Sequence, residues 1–330
     1  DSVLSTDLTS CGANNGNITI TASGGTPGYI YSWTPNADIN NNTIENPTFT
    51  PPSTGTYEYS VCVTDTNGCL KCDTVFITVT PLPIADAGID DTTCVGIPIT
   101  IGGLPTASTG TPPYTYAWLP IADLGDSSVS NPIFTPSAGG IFCITVTVTD
   151  SIGCIDADIV CVLVNALPVV NAGVDSSICF YGGSITIGGS PTASGAGPFT
   201  YAWTPDSLDD DTIENPTFTP SSPGITQFVV TVTDANGCIQ SDTVNITVTA
   251  LPVVDAGTDD TICEGTSTPL SATVTGIGPF TYNWVPPTFL VGPTTANPIF
   301  ISIDSGIYCF TVTVSDGNGC ISDDSVCVVV

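Results

Sequence analysis

Thiols and carboxylates are the two reactive side chains this chain holds in quantity. Its 330 residues include 14 cysteines and 31 acids against one base, Lys71, with no histidine, arginine or methionine. Without imidazole no Ser–His or Cys–His dyad can be assembled, and no guanidinium is present to clamp a phosphate. Paired carboxylates could still hydrolyse glycosides, but no aromatic-rich insertion is present to wall a sugar cleft. An enzyme is therefore not expected. A Lys–Asn isopeptide cross-link could form at most once. The formal charge of −30 repels nucleic acid and anionic membranes and favours solubility and cation condensation.

The thiols point to disulfides. Four segments share an Asp-x-x-Gly-Cys turn: Asp65–Cys69, Asp150–Cys154, Asp234–Cys238 and Asp316–Cys320. Apolar residues alternate before each Asp, as at Val146 and Val148, Val230 and Val232, and Val312 and Val314, which predicts a strand with one buried face. The glycine suits a three-residue hairpin loop that closes through a left-handed residue. Such a loop sets each Asp opposite the Cys four positions later. Cys62 and Cys72, Cys143 and Cys161, and Cys309 and Cys327 then fall directly opposite one another, at two different heights on the strands. Opposed Cα atoms lie roughly 4.5–5.5 Å apart, within disulfide reach. These three bridges are expected on the polar face, leaving the valines to the core.

The other eight cysteines fall two per repeat. By elimination the expected bridges are Cys11–Cys69, Cys94–Cys154, Cys179–Cys238 and Cys263–Cys320. Each would tie a first strand to the start of a last strand and close a loop of about 60 residues, nominally ~4 kcal/mol of chain entropy. Linkage between domains or between molecules is the alternative. This disulfide density implies an oxidising, extracytoplasmic location. Cys69-Leu-Lys-Cys72 could instead be a metal or redox motif, but strand alternation sends its thiols to opposite faces.

The elements that position these residues repeat along the chain. Tyr31/Trp33, Tyr116/Trp118, Tyr201/Trp203 and Tyr282/Trp284 recur at intervals of 85, 85 and 81 residues. Each unit has an early Cys, short strands such as Ile99–Ile101 and Ile185–Ile187, and a strand ending in Trp. A long polar loop leads to Asn-Pro-x-Phe (Asn46–Phe49, Asn131–Phe134, Asn215–Phe218, Asn297–Phe300), and the hairpin closes the unit. Turn signals every 8–12 residues predict an all-β chain of antiparallel sandwiches with the Trp as core filler. The expected domains are four Ig-like repeats, 1–81, 82–166, 167–250 and 251–330. Linkers such as Pro81-Leu-Pro83, Ala166-Leu-Pro168 and Ala250-Leu-Pro252 are short and proline-bearing, which predicts a semi-rigid rod. Repeats one and three share Thr-Ile-Glu-Asn-Pro-Thr-Phe-Thr-Pro (43–51 and 212–220). Repeats two and four share their outer cysteine positions. This makes two copies of a two-domain unit, reflecting either different neighbours in a fibre or a recent duplication. No apolar run reaches the ~18 residues of a membrane span. With neither Met nor an apolar leader at Asp1, a signal peptide is expected to be removed or to lie outside these residues.

Ala-Gly-x-Asp-x-x-x-Cys, Pro-Tyr-x-Tyr-x-Trp-x-Pro, Asn-Pro-x-Phe-x-Pro and Val-Thr-Asp-x-x-Gly-Cys together resemble the PKD-like immunoglobulin repeats of large cell-surface proteins in gliding bacteria. Ser10–Gly16 and Ala22–Pro27 are similar to the repeat unit of gliding-motility adhesins. The resemblance spans essentially the whole chain. It departs from ordinary PKD domains after the Trp, where Thr34-Pro35 or Leu119-Pro120 stands in place of a Gly-Asp-Gly turn. It implies a tandem-repeat segment of a secreted filament, stalk or adhesin on the bacterial cell surface. Its partners would be other copies of itself or further repeats of the same polypeptide. The alternative is an adhesive module whose exposed loops bind glycans or a partner cell.

Two further sets of residues invite ligands or modification. Asp90, Asp91, Asp206, Asp209, Asp210, Asp211, Asp259 and Asp260 could offer oxygen ligands to calcium, against a bland reading as acidic surface and Asx turns. No EF-hand or nonapeptide spacing is present, so no cofactor is expected, calcium apart. Asp-Ser/Thr followed by a small or aliphatic residue is similar to the O-glycosylation signal of bacteria that carry such repeats. It marks Thr74, Thr92, Ser151, Ser207, Thr212, Thr243, Thr261 and Ser325. Asn17, Asn41 and Asn245 begin N-linked signals that the implied host is not expected to use.

Overall fold

The computed structural model describes residues 2–5, 8–12, 16–50 and 52–330. Asp1, which the sequence pattern places on a first strand, residues 13–15 of the Ser10–Gly16 motif and Pro51 lie outside the described residues. Among the described residues there is no helix, and therefore none long and apolar enough to cross a membrane. The protein is all-β, built of tandem Ig-like sandwiches.

The second repeat shows the plan. Gly140–Thr149 and Ile155–Asn165 form the long hairpin, and Thr115–Leu119 pairs antiparallel with its first strand. Asp91–Cys94 completes this four-stranded layer by pairing with Ile155–Asn165. The facing layer is made of short pieces: Pro83–Ala85 with Ala107–Thr109, and Ile99–Thr100 with Ile133–Phe134. Strand alternation sends Val146, Val148, Val160, Val162 and Val164 inward, where each is at most 2% exposed. Burying a valine fully is worth about 1.5–3 kcal/mol over leaving it in water, so these rows hold the hairpin face down.

One pairing departs from the all-antiparallel expectation. The first strand of the long-hairpin sheet runs parallel to the last strand, as in Leu8–Cys11 on Leu70–Thr80, Asp91–Cys94 on Ile155–Asn165 and Ser176–Cys179 on Ile239–Thr249. In the fourth repeat Asp260–Thr261 pairs in the same sense with Val328–Val329. The chain enters at the end where the hairpin turns and leaves at the other, so an edge strand laid beside the exit strand must run with it.

Four separate cores result, within residues 18–79, 85–164, 172–248 and 256–328. Each is centred on its Trp and its Asn-Pro-x-Phe phenylalanine. Trp33, Trp118, Trp203 and Trp284 are at most 1% exposed. Each indole N–H donates across the sandwich to a carbonyl of the long polar loop: Ile44, Val129, Ile213 and Thr295, at 3.0, 3.0, 3.1 and 3.0 Å. The ring fills the core while its one polar atom fixes a loop with little apolar anchorage of its own. The peptide bonds before Pro35, Pro120, Pro205 and Pro286, just beyond each Trp, are cis. The chain divides into two compact units, Asp1–Ala166 and Leu167–Val330.

Candidate functional site: the cysteine ladder

The hairpin turn is built from its Asp. Asp150 Oδ1 accepts from the amides of Ile152 and Cys154 at 3.0 and 2.8 Å, and its own N–H donates to the Cys154 carbonyl at 2.9 Å. Asp65, Asp234 and Asp316 repeat this arrangement, each with Cys four residues on. The glycine before each Cys has φ between 79° and 95°, the left-handed region that a Cβ disfavours. The second carboxylate oxygen reaches a neighbouring loop: Asp65 Oδ2 accepts from Thr26 N–H and Asp150 Oδ2 from Thr111 N–H, both at 3.0 Å. The Thr26 amide, with that of Cys69 next, holds the Asp65 carboxyl below its ordinary value. At Asp150 burial pushes the other way, but the amides of Thr111, Cys154, Ile152 and Gly153 together win and hold it low. In the third and fourth repeats the corresponding oxygens, Oδ2 of Asp234 and of Asp316, are buried and accept no hydrogen bond among the described residues.

Three bridges lie within hairpins. Cys62–Cys72, Cys143–Cys161 and Cys309–Cys327 join directly opposed residues with Cα atoms 4.1, 4.0 and 4.0 Å apart. They occupy the register that the turn dictates and lie outside the valine face. Because Cys72 is bonded to Cys62, Cys69-Leu-Lys-Cys72 offers no dithiol.

The remaining expectation is corrected. Cys11 is bonded to Cys154, not Cys69, and Cys179 to Cys320, not Cys238. Cys94–Cys154 and Cys263–Cys320 are thereby excluded as well. Cys94 and Cys238 are both disulfide-bonded, while Cys69 and Cys263 are free. The parallel edge strand explains why a bridge within one repeat fails. Cys11 stands beside Thr80, Cys94 beside Asn165 and Cys179 beside Thr249, each at the far end of its repeat's last strand. The hairpin cysteine stands before the start of that strand, roughly 35 Å away at about 3.3 Å per residue. A disulfide spans Cα atoms no more than about 7 Å apart.

What the first-strand cysteine does reach is the hairpin turn of the following repeat. Cys11 meets Cys154 with Cα atoms 5.4 Å apart across 143 residues, and Cys179 meets Cys320 at 5.5 Å across 141. The Thr80 hydroxyl, from the last strand of the first repeat, lies 3.7 Å from Cys154 Sγ. At the second junction Cys179, Phe180 and Leu251 line one surface cavity with Gly319 and Ile321, the residues flanking Cys320. Cys154 and Cys320 are each 1% exposed. The junctions are thus covalent and packed. Sequence reasoning missed this because periodicity places a cysteine on a strand without saying which way the strand runs.

Of the acidic residues considered for calcium, Asp90, Asp91, Asp209, Asp210, Asp259 and Asp260 have carboxylates engaged with backbone amides. Asp90 Oδ1 accepts from Cys161 N–H and Asp259 Oδ1 from Cys327 N–H, both at 2.8 Å, and Asp175 makes the same clasp to Asn245. Asp91 and Asp260 accept from the amides that follow them. Asp209 and Asp210 cap their own loop through Thr217 and Thr212, and these amides and hydroxyls hold both carboxyls below the ordinary range. Asp206 and Asp211 stand in the same loop, where the Asp211 carbonyl accepts from Trp203 N–H. Among the described residues no three metal-binding side chains come together. Of the hydroxyls marked for O-glycosylation, Thr92, Ser151, Ser207, Thr212, Thr243, Thr261 and Ser325 are exposed and Thr74 is half-buried.

No curated protein matches the chain in sequence. Among solved structures it is similar to the N-terminal eight Ig domains of Down syndrome cell adhesion molecule, with TM-score 0.43 and 13% identity over 100% of this chain. It spans about half of that structure, 49% of its length. The titin I-band fragment I67–I69 (TM-score 0.39, 11% identity) aligns with 74% of this chain and 96% of its own. The insect immune protein hemolin (TM-score 0.31, 14% identity) aligns with 100% and 99%. In sequence, residues 5–38 match the SprB repeat model. The chain is a tandem of Ig-like repeats, and residues 5–38, in the first of them, resemble the SprB repeat.

Proposed function

We propose that this chain is a structural segment of a secreted filament, stalk or adhesin on the bacterial cell surface, and that it works by bearing tension. The observation that carries the reading is the pair of disulfides between successive repeats. Pulling on the two ends loads Cys11–Cys154 and Cys179–Cys320 directly, so the residues between each pair lie inside a covalent loop that tension does not enter. Each loop takes in one sandwich from Cys11 or Cys179 onward and the next as far as its hairpin turn, leaving the last strands Ile155–Asn165 and Ile321–Val329 in the load path. The proline linkers at 81–83 and 250–252 lie within the shielded stretches, which removes them from the load path, while that at 166–168 lies between the two loops. A chain with one lysine and no arginine also offers few sites to proteases that cut after basic residues. Its partners on this reading are further repeats of the same kind.

Single-molecule stretching from the two termini tests the reading. Without reductant, extension should stop well short of the full chain. With reductant, each opened loop should release roughly 500 Å, from the 143 and 141 residues between partners at about 3.5 Å per residue. Equal contour lengths under both conditions would remove the mechanical role. Saturable binding of the isolated chain to a glycan array would move the reading to an adhesive module.

A further inference from the structure

Among the described residues two thiols remain outside the ladder, and both are exposed: Cys69 and Cys263. They occupy different kinds of position. Cys69 closes a hairpin turn, its carbonyl accepting from Asp65 N–H just as the Cys154 and Cys320 carbonyls accept from Asp150 and Asp316. Cys263 follows the edge strand Asp260–Thr261, whose parallel ladder continues through Ile262 N–H to the Val329 carbonyl. That is the position of Cys11 and Cys179. Both observed junctions join one thiol of each kind, an edge-strand cysteine to a hairpin cysteine. The chain therefore retains one unused member of each class.

Burial separates the used from the unused. Cys154 and Cys320 are each 1% exposed, whereas Cys69, in the same turn, is open to solvent. Groups of the preceding repeat stand beside both, Thr80 at Cys154 and Phe180 in a cavity shared with Gly319 and Ile321, the residues flanking Cys320. Cys69 has the turn geometry of a junction cysteine, with its thiol open to solvent among the described residues.

We propose that Cys263 of one copy of this chain forms a disulfide with Cys69 of a second copy, extending the same ladder from molecule to molecule. The two thiols are complementary in kind, so the contact is head to tail, the class of contact that builds an open filament when the rotation between copies does not close a ring. The chemistry is an oxidation. The Cys263 and Cys69 thiols give up two protons and two electrons as their S–S bond forms, and a disulfide oxidant of the glutathione class accepts both as its own S–S bond breaks into two thiols. The proposal deepens the filament reading above and rests on it for the end-to-end arrangement.

The test uses the full chain with glutathione disulfide as oxidant. Wild type should give a ladder of covalent multiples on non-reducing gels, with a Cys263–Cys69 peptide in the digest. C69S and C263S each lack one half, so a mixture of the two should give a mixed dimer that dominates either homodimer and stops at two chains. The proposal is overturned if the mixture gives no mixed dimer, if Cys263–Cys263 forms as readily, if Cys263 and Cys69 close within one molecule, or if both thiols end capped by glutathione. Failure here with reductant-dependent extension intact would reject only the intermolecular bond. Cross-linking without that extension would reject only the mechanical reading.

Discussion

Cys11 and Cys154 are bonded across a repeat boundary, 143 residues apart in sequence and 5.4 Å apart at their Cα atoms. The bond joins the exit end of one sandwich to the turn end of the next, so two cores that form separately are held as one covalent body. By chain entropy a loop of this length is nominally worth about 5 kcal/mol, although measured bridges more often contribute 2–4.

Peptide mapping of the oxidised protein should therefore find Cys11 linked to Cys154 and Cys179 linked to Cys320. C11S/C154S should lower the stability of the 1–166 unit by about 2–4 kcal/mol and open its linker near Pro81 to proteolysis. A Cys11–Cys69 or Cys179–Cys238 peptide would contradict the parallel edge strand.

Trp118 serves its core and its loop at once. Trp118→Ala should cost the second repeat about 3–5 kcal/mol through the cavity it leaves. Trp118→Phe should cost less, about 1–3 kcal/mol, mainly by leaving the Val129 carbonyl without its donor. Calorimetry should show one component of the transition moving while the others stay, since the four cores are distinct.

The hairpin Asp makes the fold sensitive to acid. The Asp150 carboxyl titrates below its ordinary value when folded, so its contribution is fully present above the unfolded pKa of about 3.9 and is lost as pH falls through the lower folded value. Asp65 follows the same sign. Urea midpoints at pH 7 and pH 2.5 should differ, and the difference should shrink in D150N, which has no carboxylate to protonate. An unchanged acid loss in D150N would assign the sensitivity to other groups.

Asp90 and Asp259 act as clasps from the edge strand to the last strand. Alanine at either should cost roughly 1.5–3 kcal/mol, the worth of a hydrogen bond to a charged group. The loss should be equal in EDTA and in millimolar calcium. A melting midpoint of the wild type that rises with calcium and falls with EDTA would show these carboxylates to be ligands as well.

The part of this protein determined by local sequence is the hairpin. Asp and Gly at set positions decide the turn, the turn decides the register, and the register alone places Cys143 against Cys161 and Cys309 against Cys327. Trp periodicity likewise marked the centre of every core, because a large apolar ring at a regular interval has one place to go in a two-layer sandwich. The tertiary structure decided the rest. Whether the short edge strand runs parallel or antiparallel to a partner some 70 residues away leaves no trace in its own alternation, since both directions bury the same side chains. That direction alone determines at which end of the sandwich Cys11 and Cys179 stand, and hence that they bond to the next repeat rather than to their own.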